Sequence, residues 1–362
     1  MTALLMTGFP GFLGSALLPR LLARREGVRA VCLVQPRHMA TAQHRLRAME
    51  ADHPGVRGRI GLIEGDITAP DLGVGASSGA LADVTEVWHL AAVYDLAVAP
   101  ETARRVNVDG TAQVLEFCRA LPRFDRLQYV STCYVSGRYE GTFTEDALAE
   151  GQAFRNHYES TKYEAELLVR KAMADGLPAT VYRPGIVVGD SRTGETQKFD
   201  GPYLFASYLR RLPFLALVPR LADPDVVRFC VVPRDFVVGA MDELSVQDRS
   251  VGQTYALTDP DPPTVRQLVD TFAGHLDKRV IWVPLPLGPT RWVVGAVPGI
   301  EALTGLPAEA LDYAASPTTY STVNTVRDLA GTGVECPAFA SYAGALLDFM
   351  SAHPEIDSRA MV

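Results

Sequence analysis

The first half of the chain alternates short apolar runs with segments whose apolar residues are spaced as on a helix. A short apolar run bounded by glycine or polar residues is typical of a strand buried on both faces of a sheet. The runs that predict strands cover residues 3–7, 28–34, 60–64, 84–90, 127–131 and 179–182. The segments that predict helices cover residues 15–24, 106–120 and 158–171. Strands that alternate with helices predict the α/β class, with a doubly wound parallel sheet covered on both faces.

The alternation weakens after Gly189. Residues 191–227 are rich in aromatic residues, arginine and proline, and the tail from Pro260 onward has many prolines and only short helical stretches. The apolar runs 226–232 and 252–257 predict two further strands. We therefore expect a large α/β domain and a smaller, mainly helical C-terminal part folded over it. The expected boundaries are residues 1–190 with about 228–258 for the first, and 191–227 with 259–362 for the second.

A glycine-rich turn follows the first predicted strand. Gly8, Gly11 and Gly14 form a G-x-x-G-x-x-G pattern between that strand and a predicted helix. Such a turn lets backbone N–H groups approach a pyrophosphate, which the N-terminus of the following helix also attracts. A tight turn that binds nothing would contain the same glycines, but the strand before and the helix after favour a dinucleotide site of the Rossmann type.

The residues after the second and third strands favour NADP over NAD. An NAD site usually has Asp or Glu at the end of the second strand, where it holds the ribose 2′-hydroxyl. This strand is followed instead by Gln35 and Arg37, and Arg37 could pair with a 2′-phosphate or belong to an ordinary solvated loop. Asp66 could reach the adenine, and Ala91 and Ala92 would let the cofactor pass closely.

A Tyr-x-x-x-Lys spacing lies on the last predicted helix of the α/β region. Tyr158 and Lys162 are about one helical turn apart and share a face. A phenol with a pKa near ~10 is a poor acid at neutral pH, and a neighbouring ammonium is expected to lower that pKa. The fifth strand ends at Ser131 and Thr132, at the sheet edge where ligands bind in such folds. Together with the glycine turn, these residues predict hydride transfer.

Composition and charge exclude several other functions. The net charge of −8 argues against a nucleic-acid surface. The five cysteines contain no C-x-x-C pair, so the sequence predicts neither a zinc site nor a disulfide framework. The apolar stretch 281–306 is interrupted by four prolines, and no charged segment followed by a long apolar one opens the chain. We expect a cytoplasmic protein with no metal, no nucleic-acid partner and no stable membrane insertion.

These motifs resemble those of the extended short-chain dehydrogenase/reductase superfamily over about residues 3–260. The turn from Thr7 to Gly14 is similar to the superfamily's T-G-x-x-G-x-x-G, and residues 107–111 are similar to its N-v-x-G-T. Residues 182–187 resemble its R-P segment near the nicotinamide. Residues 130–135 resemble the strand that ends at the catalytic Ser or Thr, and the alignment of that strand places the role on Thr132.

Within the superfamily, the chain is most similar to the thioester reductase and fatty acyl-CoA reductase branch, also called male-sterility-type. The turn contains Phe-x-Gly-Phe-Leu-Gly, and residues 189–194 read G-D-S-R-T-G. Residues typical of acyl-CoA reductases surround Tyr158 and Lys162, namely Asn156, Thr161, Ala165 and Glu166. Gln35 is a departure, because the branch often has arginine there.

This resemblance implies NADPH-dependent reduction of an acyl thioester, presented on coenzyme A or on a carrier protein, to an aldehyde and then an alcohol. Thr132 and Tyr158 would stabilise the oxyanion, with Tyr158 as the acid and Lys162 as its tuner and a ligand of the nicotinamide ribose. The other expected cofactor contacts are Gly8, Phe9, Gly11, Phe12, Leu13, Gly14, Arg37, Asp66, Ile67, Ala91, Ala92, Asn107, Pro184, Gly185, Ile186 and Val187.

Several alternatives remain open at this point. A ketone, hydroxysteroid or flavonol-type dehydrogenase would use the same three residues. A nucleotide-sugar epimerase fits less well, because residues 191–227 are apolar rather than suited to a diphosphate. A cofactor-sensing regulator would be free to lose Tyr158 and Lys162, both of which are present. NAD in place of NADP, a small-molecule substrate and a homodimer are also open.

Overall fold

A seven-stranded parallel sheet forms the centre of the molecule. The structure is a computed structural model that describes residues 2–94, 98–296 and 308–356. The strands are β1 (Ala3–Thr7), β2 (Arg29–Val34), β3 (Ile60–Glu64), β4 (Val84–His89), β5 (Arg126–Val130), β6 (Gly141–Phe143), β7 (Ala179–Pro184), β8 (Ile186–Val188), β9 (Leu215–Arg220), β10 (Val231–Pro233), β11 (Thr254–Leu257), β12 (Arg279–Pro284) and β13 (Thr318–Tyr320). The sheet order is β3-β2-β1-β4-β5-β7-β11, with every neighbouring pair parallel.

The α-helices of the described residues are α1 (Phe12–Arg24), α2 (Met39–Asp52), α3 (Pro100–Ala103), α4 (Gly110–Ala120), α5 (His157–Ala174), α6 (Pro202–Arg211), α7 (Arg234–Ser245), α8 (Val265–His275), α9 (Leu287–Ala296), α10 (Ala308–Tyr313), α11 (Val323–Leu329) and α12 (Phe339–Ala352). Among them, α1 and α7 cover one face of the sheet, and α4 and α5 cover the other. Alternate residues of β1 point to opposite faces. Leu4 and Met6 pack in one hydrophobic cluster with α1 and α7, and Leu5 packs in another with α4 and α5. The predicted doubly wound α/β fold is therefore confirmed.

A separate hydrophobic cluster lies in the C-terminal part of the chain. It joins α6, α8 and α12 through Tyr203, Leu209, Phe272 and Leu346. Two-stranded parallel ribbons pair β8 with β10, β9 with β12, and β6 with β13. This cluster is the core of the smaller part, while the expected domain boundaries stay a prediction.

Several elements differ from the sequence prediction, including β6, β8, β9, β12 and β13, which were not predicted. Helix α2 was not predicted, because it buries only Ala42 and Met49 and so has little apolar periodicity. The prediction of a strand over residues 226–232 is wrong for most of that range. Only Val231–Pro233 is a strand, because the N–H groups of Val226 and Val227 both bond to the carbonyl of Asp223 in a turn.

The strand order reverses next to β1, since β2 and β3 lie on one side of it and β4 and β5 lie on the other. In such sheets ligands bind in the crevice at the carboxyl ends of the strands beside this reversal. No helix in the described ranges is long and apolar enough to cross a bilayer. The stretch 281–306 falls partly in β12 and α9, and its residues 297–306 lie outside the described residues.

Candidate active site

The glycine turn after β1 brings the backbone unusually close to its neighbours. Gly8 has a φ of +92°, and a Cβ there would lie 2.9 Å from backbone atoms of Leu90 and Ala91. A Cβ at Gly11 or Gly14 would lie 2.7 or 2.8 Å from the carbonyl oxygen of Gly8. Only glycine fits these three positions. Because α1 begins directly after the turn, its first N–H groups are available to an anion, so the turn fits the pyrophosphate of a dinucleotide.

A buried hydrogen-bond chain fixes the wall of the crevice beside this turn. The Thr111 hydroxyl donates to the Asn107 carbonyl at 2.6 Å, so it accepts from His89 Nε2 at 3.0 Å. His89 Nδ1 then accepts from the Thr7 hydroxyl at 2.8 Å, and Thr7 accepts from the N–H of Ala91 at 3.2 Å. Burial, with Lys162 nearby, lowers the pKa of His89 to about 3. His89 is therefore a neutral structural residue.

Asn107 joins three elements that surround the crevice. It lies in a π-helical turn between α3 and α4. Its amide oxygen accepts from the N–H of Val93 at 2.9 Å, and its amide nitrogen donates to the Val93 carbonyl and to the Thr161 hydroxyl, each at 3.0 Å. The loop after β4 is thereby attached to α5. The described contacts thus give Asn107 a positioning role for the loop that contains Ala91 and Ala92.

Several predicted cofactor residues lie in the core rather than at its surface. Phe9 and Ile67 are buried in the two clusters that flank the sheet, and Leu13 packs against the first of these clusters. Their side chains stabilise the turn and the loop after β3. Any contact that Phe9 or Ile67 makes with a cofactor would therefore use backbone atoms.

An ordered polar chain lies beyond the carboxyl ends of β2 and β3. Arg37 Nε donates to Gln35 Oε1 at 2.9 Å, and Gln35 Nε2 donates to Asp66 Oδ2 at 3.0 Å. The other oxygen of Asp66 accepts from the backbone and the hydroxyl of Thr68, each at 2.9 Å. Gln35 therefore positions Arg37, a role that sequence reasoning missed. Arg37 is exposed, as a ligand of an incoming phosphate would need to be.

Lys162 is buried beneath the carboxyl end of β5. Its ammonium donates to the Val130 carbonyl at 2.9 Å and to the Tyr129 hydroxyl at 3.1 Å. It also lies 4.6 Å from the centroid of the Tyr129 ring, which favours a cation. Burial lowers the pKa of Lys162 to about 8, and Glu166 opposes this shift. Lys162 is thus charged at neutral pH and held rigidly.

Tyr158 and Thr132 meet at the same edge of the sheet. Burial raises the pKa of Tyr158 to about 12, and hydrogen bonding with the Thr132 side chain opposes this rise. The expected lowering of the Tyr158 pKa is therefore wrong for this structure, because burial of the phenol outweighs the hydrogen bond with Thr132. Thr132 is buried and its Oγ1 accepts from the N–H of Tyr134 at 3.2 Å, which leaves its proton for donation. The site presents a protonated phenol and a hydroxyl donor.

Ser131 faces a different environment from Thr132, because successive strand residues point to opposite sides. Its hydroxyl donates to Glu166 Oε2 at 2.6 Å. Burial would raise the pKa of Glu166, but Arg183 at 2.6 Å, Arg170 at 3.0 Å and Ser131 together lower it. Ser131 therefore belongs to a buried ion-pair cluster. The structure leaves Thr132 as the hydroxyl on the Tyr158 side.

The predicted nicotinamide segment connects the main sheet to the β8–β10 ribbon. Pro184 ends β7, and a Cβ at Gly185 would lie 2.6 Å from the Cys230 carbonyl oxygen. The N–H of Ile186 donates to the same carbonyl at 2.8 Å. Ile186 and Val187 are partly exposed. Glycine is needed at 185 for the close approach of these two chain segments.

Tyr313, in the C-terminal tail, holds the start of the helix that contains Tyr158. Asn156 caps α5 by accepting from the N–H of Glu159 at 3.0 Å. Asn156 Nδ2 donates to the Tyr313 hydroxyl at 2.8 Å, and that hydroxyl donates to Glu159 Oε1 at 2.8 Å. The Tyr313 ring packs edge-on against Tyr134, with centroids 4.9 Å apart. Tyr313 therefore connects the Thr132 turn to the Tyr158 helix, and no local sequence signal indicates this contact.

Replacing Tyr313 with Phe should lower kcat by about tenfold, because the loss of a buried hydrogen bond to a charged group loosens the start of α5. The Kd of the cofactor should stay within about twofold, since no hydrogen bond of Tyr313 goes to the glycine turn. Tyr208→Phe is a matched control, because the Tyr208 hydroxyl donates to Leu217 in the same C-terminal part. Steady-state kinetics for the two variants will check this. Equal losses in both would contradict the positioning role.

Comparison with known proteins identifies the family of this chain. The family described as "Male sterility protein" matches residues 6–241. The chain is 29% identical over 269 residues to the non-canonical nonribosomal peptide synthetase cpsA of Aspergillus campestris, covering 69% of this chain and 25% of that protein. It is 26% identical over 234 residues to the fatty acyl-CoA reductase wat of Drosophila melanogaster, covering 55% of this chain and 45% of that protein. The chain thus spans less than half the length of both relatives.

A solved structure extends the match to almost the whole fold. The terminal R domain from the myxalamid PKS-NRPS biosynthetic pathway superposes with a TM-score of 0.83 at 27% identity, covering 98% of this chain and 91% of that domain. The resemblance stated from the motifs is confirmed, as is the prediction of an enzyme. The chain belongs to the male sterility protein family and is an NAD(P)H-dependent oxidoreductase of the extended short-chain dehydrogenase/reductase type.

Proposed function

We propose that the protein reduces an acyl thioester to an aldehyde with NADPH, using Thr132, Tyr158 and Lys162. The observation that carries the proposal is a protonated phenol beside a hydroxyl donor, at the carboxyl end of β5. This position borders the crevice whose glycine turn fits a dinucleotide. The similarity to a fatty acyl-CoA reductase and to the terminal R domain supports a thioester as the substrate.

The three residues act on the carbonyl oxygen and on its developing charge. When bound, a reduced nicotinamide would supply the hydride that the carbonyl carbon receives. Tyr158 gives its phenolic proton to the carbonyl oxygen, and the Thr132 hydroxyl donates a hydrogen bond to the same oxygen. Lys162, one helical turn from Tyr158, stabilises the resulting phenolate until solvent returns the proton. The hemithioacetal then breaks its C–S bond, so that the thiolate leaves and takes a proton, and the aldehyde remains.

The acyl group would be presented on coenzyme A or on the pantetheine arm of a carrier protein. The terminal R domain and the synthetase relative belong to assembly-line proteins, which favours a carrier. The aldehyde product still contains a carbonyl group. A second reduction, from aldehyde to alcohol, would therefore use the same three residues. A ketone reductase would also use these three residues. The similarity to a fatty acyl-CoA reductase and to the terminal R domain is the reason for preferring a thioester substrate.

A substrate panel at fixed NADPH separates these reactions. Absorbance of the dihydronicotinamide should fall with acyl-pantetheine and acyl-CoA thioesters and with aldehydes. Hydroxysteroid-type ketones and UDP-sugars should give rates at least tenfold lower. If ketones react and every thioester is inert, the proposed substrate class is wrong while the oxidoreductase assignment stands.

We further propose NADP as the preferred cofactor, because Arg37 is exposed at the end of β2 and is oriented by Gln35. Replacing Arg37 with Ala should raise the Kd of NADPH by about tenfold, the effect of losing one charge-assisted contact to a 2′-phosphate. The Kd of NADH should not change. Arg47→Ala, on the exposed face of α2, is the matched control. Fluorescence titration of both cofactors measures this, and an equal loss for NADH and NADPH would contradict the 2′-phosphate role.

A further inference from the structure

We propose that Arg234 is an additional cofactor-binding residue, whose guanidinium neutralises the pyrophosphate of a dinucleotide held at the glycine turn. Arg234 is the first residue of α7 and lies outside every motif that identified the cofactor site. Its guanidinium carbon lies 5.0 Å from the centroid of the Phe12 ring. Phe12 is the first residue of α1, so the contact brings a cation to the helix N-terminus where an anion is expected.

The backbone around Arg234 is held firmly in this place. Helices α1 and α7 share one hydrophobic cluster through Leu17, Leu21, Val237 and Met241. The N–H of Arg234 donates to the Gly189 carbonyl at 3.2 Å. The next residue, Asp235, accepts from the N–H of Ser191 at 2.8 Å and from its hydroxyl at 2.7 Å. The start of α7 is therefore attached both to the phosphate-binding helix and to the loop after β8.

The guanidinium of Arg234 has only a weak ion pair among the described residues, so its charge is available to a ligand. Arg234 Nη2 lies 3.3 Å from Glu195 Oε2, with the Arg234 side chain 11% exposed and the Glu195 side chain 53% exposed. An ion pair with so exposed a carboxylate contributes about 0–1 kcal/mol, because water screens it. Charge-assisted hydrogen bonds from a guanidinium to a phosphate are stronger than such an exposed ion pair.

A cation is also needed at this point for a general electrostatic reason. The chain has a net charge of −8, and a dinucleotide carries two negative charges on its pyrophosphate alone. Backbone N–H groups supply partial positive charge only. A guanidinium beside the turn reduces the repulsion between the negatively charged protein and the negatively charged pyrophosphate. This inference rests on a nicotinamide dinucleotide as the cofactor and not on the thioester substrate.

Binding measurements without any acyl substrate test the inference directly. Replacing Arg234 with Ala should raise the Kd of NADPH and of NADH alike, by about tenfold for one lost charge-assisted contact. Arg234→Gln, which keeps a polar side chain over Phe12 without the charge, should match Arg234→Ala, and Arg234→Lys should lose less. Arg37→Ala should weaken NADPH alone, so the two arginines would be distinguished by their cofactor selectivity. Titration of dihydronicotinamide fluorescence gives all these constants.

Glu195→Gln distinguishes a binding role from a structural one. It removes the ion pair but keeps the guanidinium, so the Kd of both cofactors should stay the same or fall. Cofactor constants within twofold of wild type in both Arg234→Ala and Arg234→Gln, with unchanged thermal unfolding, would overturn the proposal. A loss confined to NADPH would overturn it as well, because Arg234 would then bind the 2′-phosphate. Equal weakening by Glu195→Gln would show that the ion pair matters and would also overturn it.

Discussion

Replacing Tyr158 with Phe is expected to lower kcat for thioester reduction by about 10²–10⁴-fold, the usual contribution of a general acid. The variant keeps the ring but loses the proton that the carbonyl oxygen must receive as the hydride arrives. Burial keeps the pKa of Tyr158 at about 12, so the phenol is protonated throughout the neutral range. Thr132 would still donate a hydrogen bond to the oxyanion, so a small residual rate is expected.

The Kd of NADPH for Tyr158→Phe should stay within about twofold of wild type, because the glycine turn and Arg37 are unaffected. Tyr163→Phe is a matched control on the same helix, since Tyr163 packs against Phe154 with ring centroids 5.0 Å apart. That control should retain nearly full activity. Stopped-flow measurement of the hydride step in both variants tests the assignment. A kcat above a tenth of wild type in Tyr158→Phe would rule out the acid role.

The second large effect concerns stability. Arg183 is 2% exposed and its guanidinium donates to Glu166 at 2.6 Å and to the carbonyl of Ala147 at 2.7 Å. Replacing Arg183 with Met would leave the buried carboxylate of Glu166 without its main partner. The free energy of unfolding should fall by about 3–5 kcal/mol, as for other buried pairs from which one partner is removed. Urea unfolding followed by far-UV circular dichroism measures the change.

A double variant shows whether the uncompensated charge causes this loss. Arg183→Met with Glu166→Gln removes both charges, so it should recover at least half of the lost stability. Arg170→Met serves as a milder comparison, because Arg170 pairs with the same carboxylate but is 24% exposed. Arg170→Met should lower the free energy of unfolding by about 1 kcal/mol, as expected for a partly exposed ion pair. A single Arg183→Met variant that loses less than 1 kcal/mol would contradict the importance of the cluster.

The parts of the fold and site that depend on local sequence were predictable. The glycine turn is specified by residues that are adjacent in the chain, and Tyr158 and Lys162 are fixed by helical spacing. Ser131 and Thr132 were predicted at the end of a buried strand, and the choice of Thr132 came from the family resemblance. Helix α2 was not predicted because it lacks an apolar face, and therefore lacks the helical spacing of apolar residues.

The parts that depend on distant segments were not predictable. Tyr313 meets Asn156 across 157 positions of the chain, and Arg234 meets Phe12 from a different helix. The pKa of Tyr158 was expected to fall because sequence spacing reveals a neighbouring charge. Burial, which raises it, is known only once the fold is known. The role of Gln35 likewise depends on Asp66, which belongs to another strand end.

Product analysis in a single incubation is the most direct test of thioester reduction. Octanoyl-pantetheine and NADPH would be mixed with the protein, with free thiol measured by a disulfide reagent and aldehyde trapped as a hydrazone. We expect one thiol to be released for each acyl group reduced, aldehyde as the first product, and loss of both products in Tyr158→Phe. Oxidation of NADPH without release of thiol, or release of thiol without oxidation of NADPH, would contradict thioester reduction.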